Sequence, residues 1–140
     1  MAPSNMTVPV RWLFVLLFAA SFLMLAVMPL EAMLRDPAGL GRSPFLRLLT
    51  DLPMVPQIVH LGTFAGLTFL CAWALEPLAS IRACVLAAFV GAFAFGVVVE
   101  GIQLFVPDRE ASLSDVVLNG IGALVGCLAA YGLTLKRSAA

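Results

Sequence analysis

Charge is what this chain has least of. Eight basic and eight acidic residues stand among 140, the formal net charge is zero, and there is one histidine and one tyrosine. Lysine and arginine form no cluster, so neither a nucleic acid nor an anionic leaflet finds a polybasic patch to hold. Cysteine is scarce as well. Cys71, Cys84 and Cys127 lie in or beside apolar runs without a C-x-x-C pair, which excludes a thiolate metal centre or dithiol redox pair by spacing and makes them small buried hydrophobes with no disulfide. What fills the chain is hydrocarbon: 62% of residues are hydrophobic and the mean hydropathy is +1.06, far outside the range of soluble domains. The composition is that of an integral membrane protein.

The apolar runs predict an all-α fold, a single domain over residues 1–140 in which four transmembrane helices form a bundle. A polar leader, residues 1–9, and Arg11 precede a first run over residues 12–28, long enough to span a bilayer at about 1.5 Å per residue. That run exceeds the core of a signal peptide and no small-x-small cleavage site follows, so it reads as a retained span. The second span runs over residues 57–75, begun by Pro56 and ended before Glu76 and Pro77. Arg82 opens the third, residues 83–105, and the fourth, residues 113–135, ends in Lys136 and Arg137. Gly62 and Gly66 form a G-x-x-x-G pair that lets a neighbouring helix approach.

Between the first two spans, prolines at 29, 37, 44, 53 and 56 forbid one continuous helix. Ser43 and Pro44 nevertheless form a cap and first-turn start to a short amphipathic segment carrying Phe45, Leu46, Leu48, Leu49 and Leu52. It lies on the membrane surface or plugs the bundle mouth. Basic residues divide evenly, with Arg11, Arg82, Lys136 and Arg137 on the side of the termini and Arg35, Arg42, Arg47 and Arg109 on the other. Those close to span ends favour cytoplasmic termini, because the opposing arginines are spread along the long connection.

Polar residues concentrate at one junction, EGIQLFVPDREASLSDVVLN, residues 100–119. Glu100 continues an apolar helix without a break, where a charge near the bilayer centre costs about 2.5 to 3.5 kcal/mol. It therefore calls for a partner. Gln103 shares its helical face, Pro107 stops the helix, Arg109 supplies a cation, and Ser112 with Asp115 makes an S-x-x-D capping box one turn before Asn119. With antiparallel spans, His60, Glu100, Gln103, Arg109, Asp115 and Asn119 share one membrane level. The positive N-termini of the second and fourth spans, with the Arg109 fork, suit a phosphate or carboxylate. His60 is then a hydrogen-bond donor or proton shuttle, and Glu100 a base or an orienter of Arg109, which makes these two the catalytic candidates. Two alternatives stand beside this ligand site. The same groups can hydrogen-bond the helices together, or His60, Glu100 and Asp115 can hold a metal. No H-x-x-x-H or E-x-x-H pair supports the second, so no metal and no other cofactor is expected.

At these positions the chain resembles the VanZ-like family of bacterial membrane proteins, whose pattern is a histidine near the start of one span, then E-x-x-Q-x-x-x-P-x-R-x-x-S-x-x-D-x-x-x-N-x-x-G. His60, Glu100, Gln103, Pro107, Arg109, Ser112, Asp115, Asn119 and Gly122 fill it, and the match covers about residues 57–126. The Asp-Lys pair that often precedes the histidine is replaced by Pro56 and Gln57, and Phe64 stands near the place of a common tyrosine. The resemblance implies a multi-span protein of the bacterial inner membrane and cell envelope, with a link to teicoplanin resistance through the family's namesake and no established reaction. Together these readings predict a polar site near the non-cytoplasmic face that binds an anionic lipid headgroup or a lipid-linked envelope intermediate. The alternatives are an enzyme acting on a phosphorylated lipid and a structural or partner-binding membrane subunit.

Overall fold

Cys84, Ala88, Ala92 and Gly96 recur at every fourth residue, and all four are buried on one helix face. Small side chains at this spacing let helices meet backbone to backbone, the usual mode of packing where lipid removes the hydrophobic drive between helices. The computed structural model describes residues 7–27, 54–106 and 111–138. They form α1 (Val8–Val27), α2 (Val55–Leu75), α3 (Ile81–Gln103) and α4 (Leu113–Ser138), and there is no strand among the described residues. The expected amphipathic segment after Ser43, along with Pro107 and Arg109, lies outside them.

Large apolar side chains point the other way. Leu16, Leu86 and Leu128 are 63%, 65% and 66% exposed, an outer surface that suits hydrocarbon and would aggregate in water. Three segments, Gln57–Leu75, Ile81–Gln103 and Leu113–Arg137, are long and apolar enough to cross a membrane, with mean hydropathies of 1.7, 2.2 and 1.9. The fourth apolar stretch, Val8–Met24 in α1, is shorter. This is the architecture of a membrane protein.

Local chemistry sets the helix ends. Proline in the first turn of α2 loses no helical hydrogen bond, since the first N–H groups of a helix have no intrahelical acceptor. Ser80 caps α3, its hydroxyl accepting from the Ala83 N–H at 3.5 Å. Asp115 in the first turn of α4 and Lys136 and Arg137 in the last complement the helix dipole.

The tightest seam is between α2 and α4, which run parallel. A Cβ added at Gly122 would collide with the Leu61 carbonyl oxygen, and one at Gly126 with that of Ala65. The glycine pair that admits a neighbouring backbone is therefore on α4. Gly62, expected to share that role, has nothing within 4 Å, and Gly66 meets the Phe18 ring at 3.0 Å, a side chain rather than a backbone. The reason is rotational: α2 turns Leu61 and Ala65 toward α4, leaving Gly62 on the outer face. Helix α1 lies antiparallel along α2, with Phe22 edge-on to Phe64 at 5.3 Å between centroids. Phe64, Leu67, Ala92, Val99 and Ala123 continue this core.

At the opposite end of the bundle, α1, α2 and α4 are tied by charge. Arg11 Nη1 donates to the Trp73 carbonyl at 2.7 Å and to Glu76 Oε2 at 3.4 Å, while its guanidinium lies 4.7 Å over the Trp73 ring. Arg137 reaches the other Glu76 oxygen at 3.7 Å.

Candidate functional site

His60 stands in the second turn of α2, Glu100 and Gln103 near the end of α3, and Asp115 and Asn119 in the first turns of α4. The helix directions carry these positions to one end of the bundle, away from Glu76. Glu100 and Gln103 are each 5% exposed and Asn119 is 1% exposed, an uncommon depth for polar groups in a chain this apolar.

The ring of His60 is held from two sides. Its Nδ1 lies 2.8 Å from Asn119 Oδ1; an amide oxygen only accepts, so Nδ1 donates in this bond, which turns Nε2 the other way. That nitrogen faces Asp115 Oδ2 at 4.0 Å, beyond hydrogen-bond range. Phe22 sets its ring edge-to-face against the imidazole at 6.0 Å between centroids. Gly96 leaves Asn119 its room: a Cβ there would lie 3.1 Å from Asn119 Nδ2 and 3.0 Å from the Phe64 ring, so both side chains would have to give.

Glu100 reaches across to α4, where its Oε2 accepts from the Ser112 N–H at 3.2 Å. Its Oε1 is buried and has no hydrogen-bond partner among the described residues. The S-x-x-D capping box is thus replaced by a cap from another helix: the Ser112 N–H goes to Glu100, and the Ser112 hydroxyl pairs with Ser114. In consequence the N-terminus of α4, expected to face an anionic ligand, already holds a carboxylate of the protein. One ligand atom each from His60, Glu100 and Asp115 lies within 4.8 Å of the other two. The objection from sequence spacing loses force here, because these donors come from three different helices.

Of the six residues expected at one level, His60, Glu100, Asp115 and Asn119 are joined or adjacent, and Gln103 is buried on the same face of α3 as Glu100. Arg109, the expected partner of Glu100, lies outside the described residues. Sequence reasoning missed Phe22, whose place in an unbroken apolar run marks nothing special. It also missed the cluster of Arg11, Glu76 and Arg137, of which Glu76 and Arg137 border a shallow open cleft between Trp73, Ile81 and Leu133. Glu76 and Arg137 were visible only as charges at span ends; that they meet depends on α2 and α4 being parallel.

No curated protein and no solved structure matches this chain. The family profile described as VanZ/LLP1 matches residues 6–135, which takes in all four helices up to the last turn of α4. With nearly its whole length matched, and His60, Glu100, Asp115 and Asn119 gathered at one end of the bundle, the chain belongs to the VanZ/LLP1 family.

Proposed function

We propose that this protein crosses the bacterial inner membrane four times as one domain, with both termini cytoplasmic, and binds an anionic phosphate headgroup at its non-cytoplasmic end. The headgroup belongs to a membrane lipid or a lipid-linked envelope intermediate. The observation that carries this reading is the convergence of Glu100, Asn119, His60 and Asp115 from three helices at one level. Polar groups at such depth are expensive and mark ligand or ion sites more often than they mark packing. Arg109 supplies the bidentate fork suited to phosphate. The link with teicoplanin resistance extends to this chain only as a shared setting in the cell envelope.

A second reading, an enzyme acting on a phosphorylated lipid, is favoured by the His60 ring. Its Nδ1 is fixed by Asn119, which leaves Nε2 free to take a proton. Native mass spectrometry of detergent-purified protein tests both readings. A co-purifying phospholipid or lipid-linked phosphate should be retained by the wild type, weakened in Arg109→Lys and lost in Arg109→Ala. His60→Ala should keep the lipid if the protein only binds, and should abolish turnover while keeping the lipid if it is an enzyme. No bound lipid, no turnover, and losses confined to melting temperature would leave the polar residues as fastenings between helices.

A further inference from the structure

Glu100 and Asp115 bring two carboxylates together beside His60, and their negative charge calls for a cation. We propose that His60, Glu100 and Asp115 bind one divalent transition-metal cation, of the class of Zn²⁺ or Mn²⁺. The proposal stands independently of the headgroup reading, although a dication would supply the positive charge that reading needs.

Three observations converge on it. His60 Nε2 and Asp115 Oδ2 are 4.0 Å apart, at the outer limit of an ion pair and beyond a hydrogen bond, so the two donor atoms are near neighbours that do not close on each other. With one edge of the donor triangle at 4.0 Å and none beyond 4.8 Å, a point between the three donors lies within about 2.6 Å of each, so shifts of a few tenths of an ångström would bring them to the roughly 2.0 to 2.2 Å of zinc–nitrogen and zinc–oxygen bonds. Second, Glu100 is 5% exposed and its Oε1 has no hydrogen-bond partner among the described residues, while a carboxylate oxygen of this residue lies within 4.8 Å of the His60 and Asp115 donors. Third, each of two donors is already oriented by a neighbour: Asn119 Oδ1 holds the far nitrogen of His60, and the Ser112 N–H holds one carboxylate oxygen of Glu100. Outer partners of this kind are what fix tautomer and direction in metal sites.

The donor set narrows the ion. One imidazole and two carboxylates suit Zn²⁺, Mn²⁺ or Fe²⁺, and no thiol is present to select softer cations. Formal charge then sums to zero, and three protein ligands leave a coordination position open for water or a phosphate oxygen.

Full-length, tag-free protein in detergent, stripped with chelator and titrated with ZnCl₂, tests this by calorimetry and by the ¹⁵N resonances of the only histidine. About one equivalent should bind, with the Nε2 resonance displaced and the melting temperature raised. Glu100→Gln and Asp115→Asn should each weaken binding by more than about 100-fold. Asn119→Ala, which removes only an orienting partner, should weaken it roughly 10- to 100-fold. Glu76→Gln, at the other end of the bundle, should bind as the wild type does. Should Glu100→Gln fail to fold, Asp115→Asn decides, because its carboxylate is partly exposed. Absence of saturable Zn²⁺ binding, an unmoved Nε2 resonance, or unchanged affinity in the carboxamide variants would overturn the proposal. Zn²⁺ bound at this site without any lipid phosphate would uphold it while removing the headgroup reading.

Discussion

His60 and Asn119 are separated by 59 residues and joined by a 2.8 Å hydrogen bond between Nδ1 and Oδ1. The bond exists because α2 and α4 run parallel, so that the second turn of one meets the second turn of the other. Asn119→Ala strands the Nδ1 donor in a half-buried place and should cost about 1 to 3 kcal/mol of stability. A double-mutant cycle with His60→Ala, read from thermal unfolding in detergent, should show coupling of about 0.5 to 3 kcal/mol. Additive losses would mean that the pair does not form.

The α2–α4 seam makes a sharper prediction. Gly122→Ala and Gly126→Ala drive a methyl group into the carbonyls of Leu61 and Ala65, and a backbone cannot swing aside as a side chain can. Each should destabilise by at least the roughly 1 to 3 kcal/mol of an overpacked core. Gly62→Ala and Gly132→Ala meet nothing within 4 Å and should be neutral or stabilising by about 0.5 to 1 kcal/mol, since alanine is the better helix former. Equal effects at all four positions in melting experiments would refute the seam.

At the far end, Glu76 is shared by two arginines of unequal worth. The Arg11 side chain is 15% exposed and also donates to a carbonyl and lies over the Trp73 ring. Arg137 is 56% exposed. Arg137→Ala should therefore cost no more than about 1 kcal/mol, as surface pairs do. Arg11→Ala should cost more, because cation–π contact alone adds about 0.5 to 2 kcal/mol and the Trp73 carbonyl loses its donor. Melting curves at low and high salt check this: the small Arg137 contribution should vanish with salt and most of the Arg11 contribution should persist.

The polar level was legible in the sequence because it depends on little more than helix length. Once apolar runs define antiparallel spans, His60, Glu100, Asp115 and Asn119 must fall at one end. Who touches whom was less legible. A capping box is a local pattern, and local reasoning gave the Ser112 N–H to Asp115; the structure gives it to Glu100, whose carboxylate arrives from the end of α3. Helix rotation was equally hidden, which is why Gly62 and Gly66 looked like the close-packing pair while Gly122 and Gly126 fill that role. Both differences have one cause: spacing along a helix ranks its faces but does not say which neighbour each face meets.

The path of the chain through the membrane yields the last prediction. Arg11, Glu76 and Arg137 meet at one end of the bundle, so the starts of α1 and α3 and the end of α4 share a face, with the exposed Ser80 beside them. In the proposed orientation, which puts the basic span ends inside, that face is the cytoplasmic one. Introduced cysteines report this directly once Cys71, Cys84 and Cys127, which lie within the helices, are replaced by alanine. An impermeant maleimide applied to intact cells should label Ser43→Cys and leave Ser80→Cys and Ser138→Cys unlabelled until the membrane is opened. The reverse pattern would invert the orientation. Labelling of Ser43→Cys and Ser80→Cys from the same side would show instead that the chain does not cross the membrane four times.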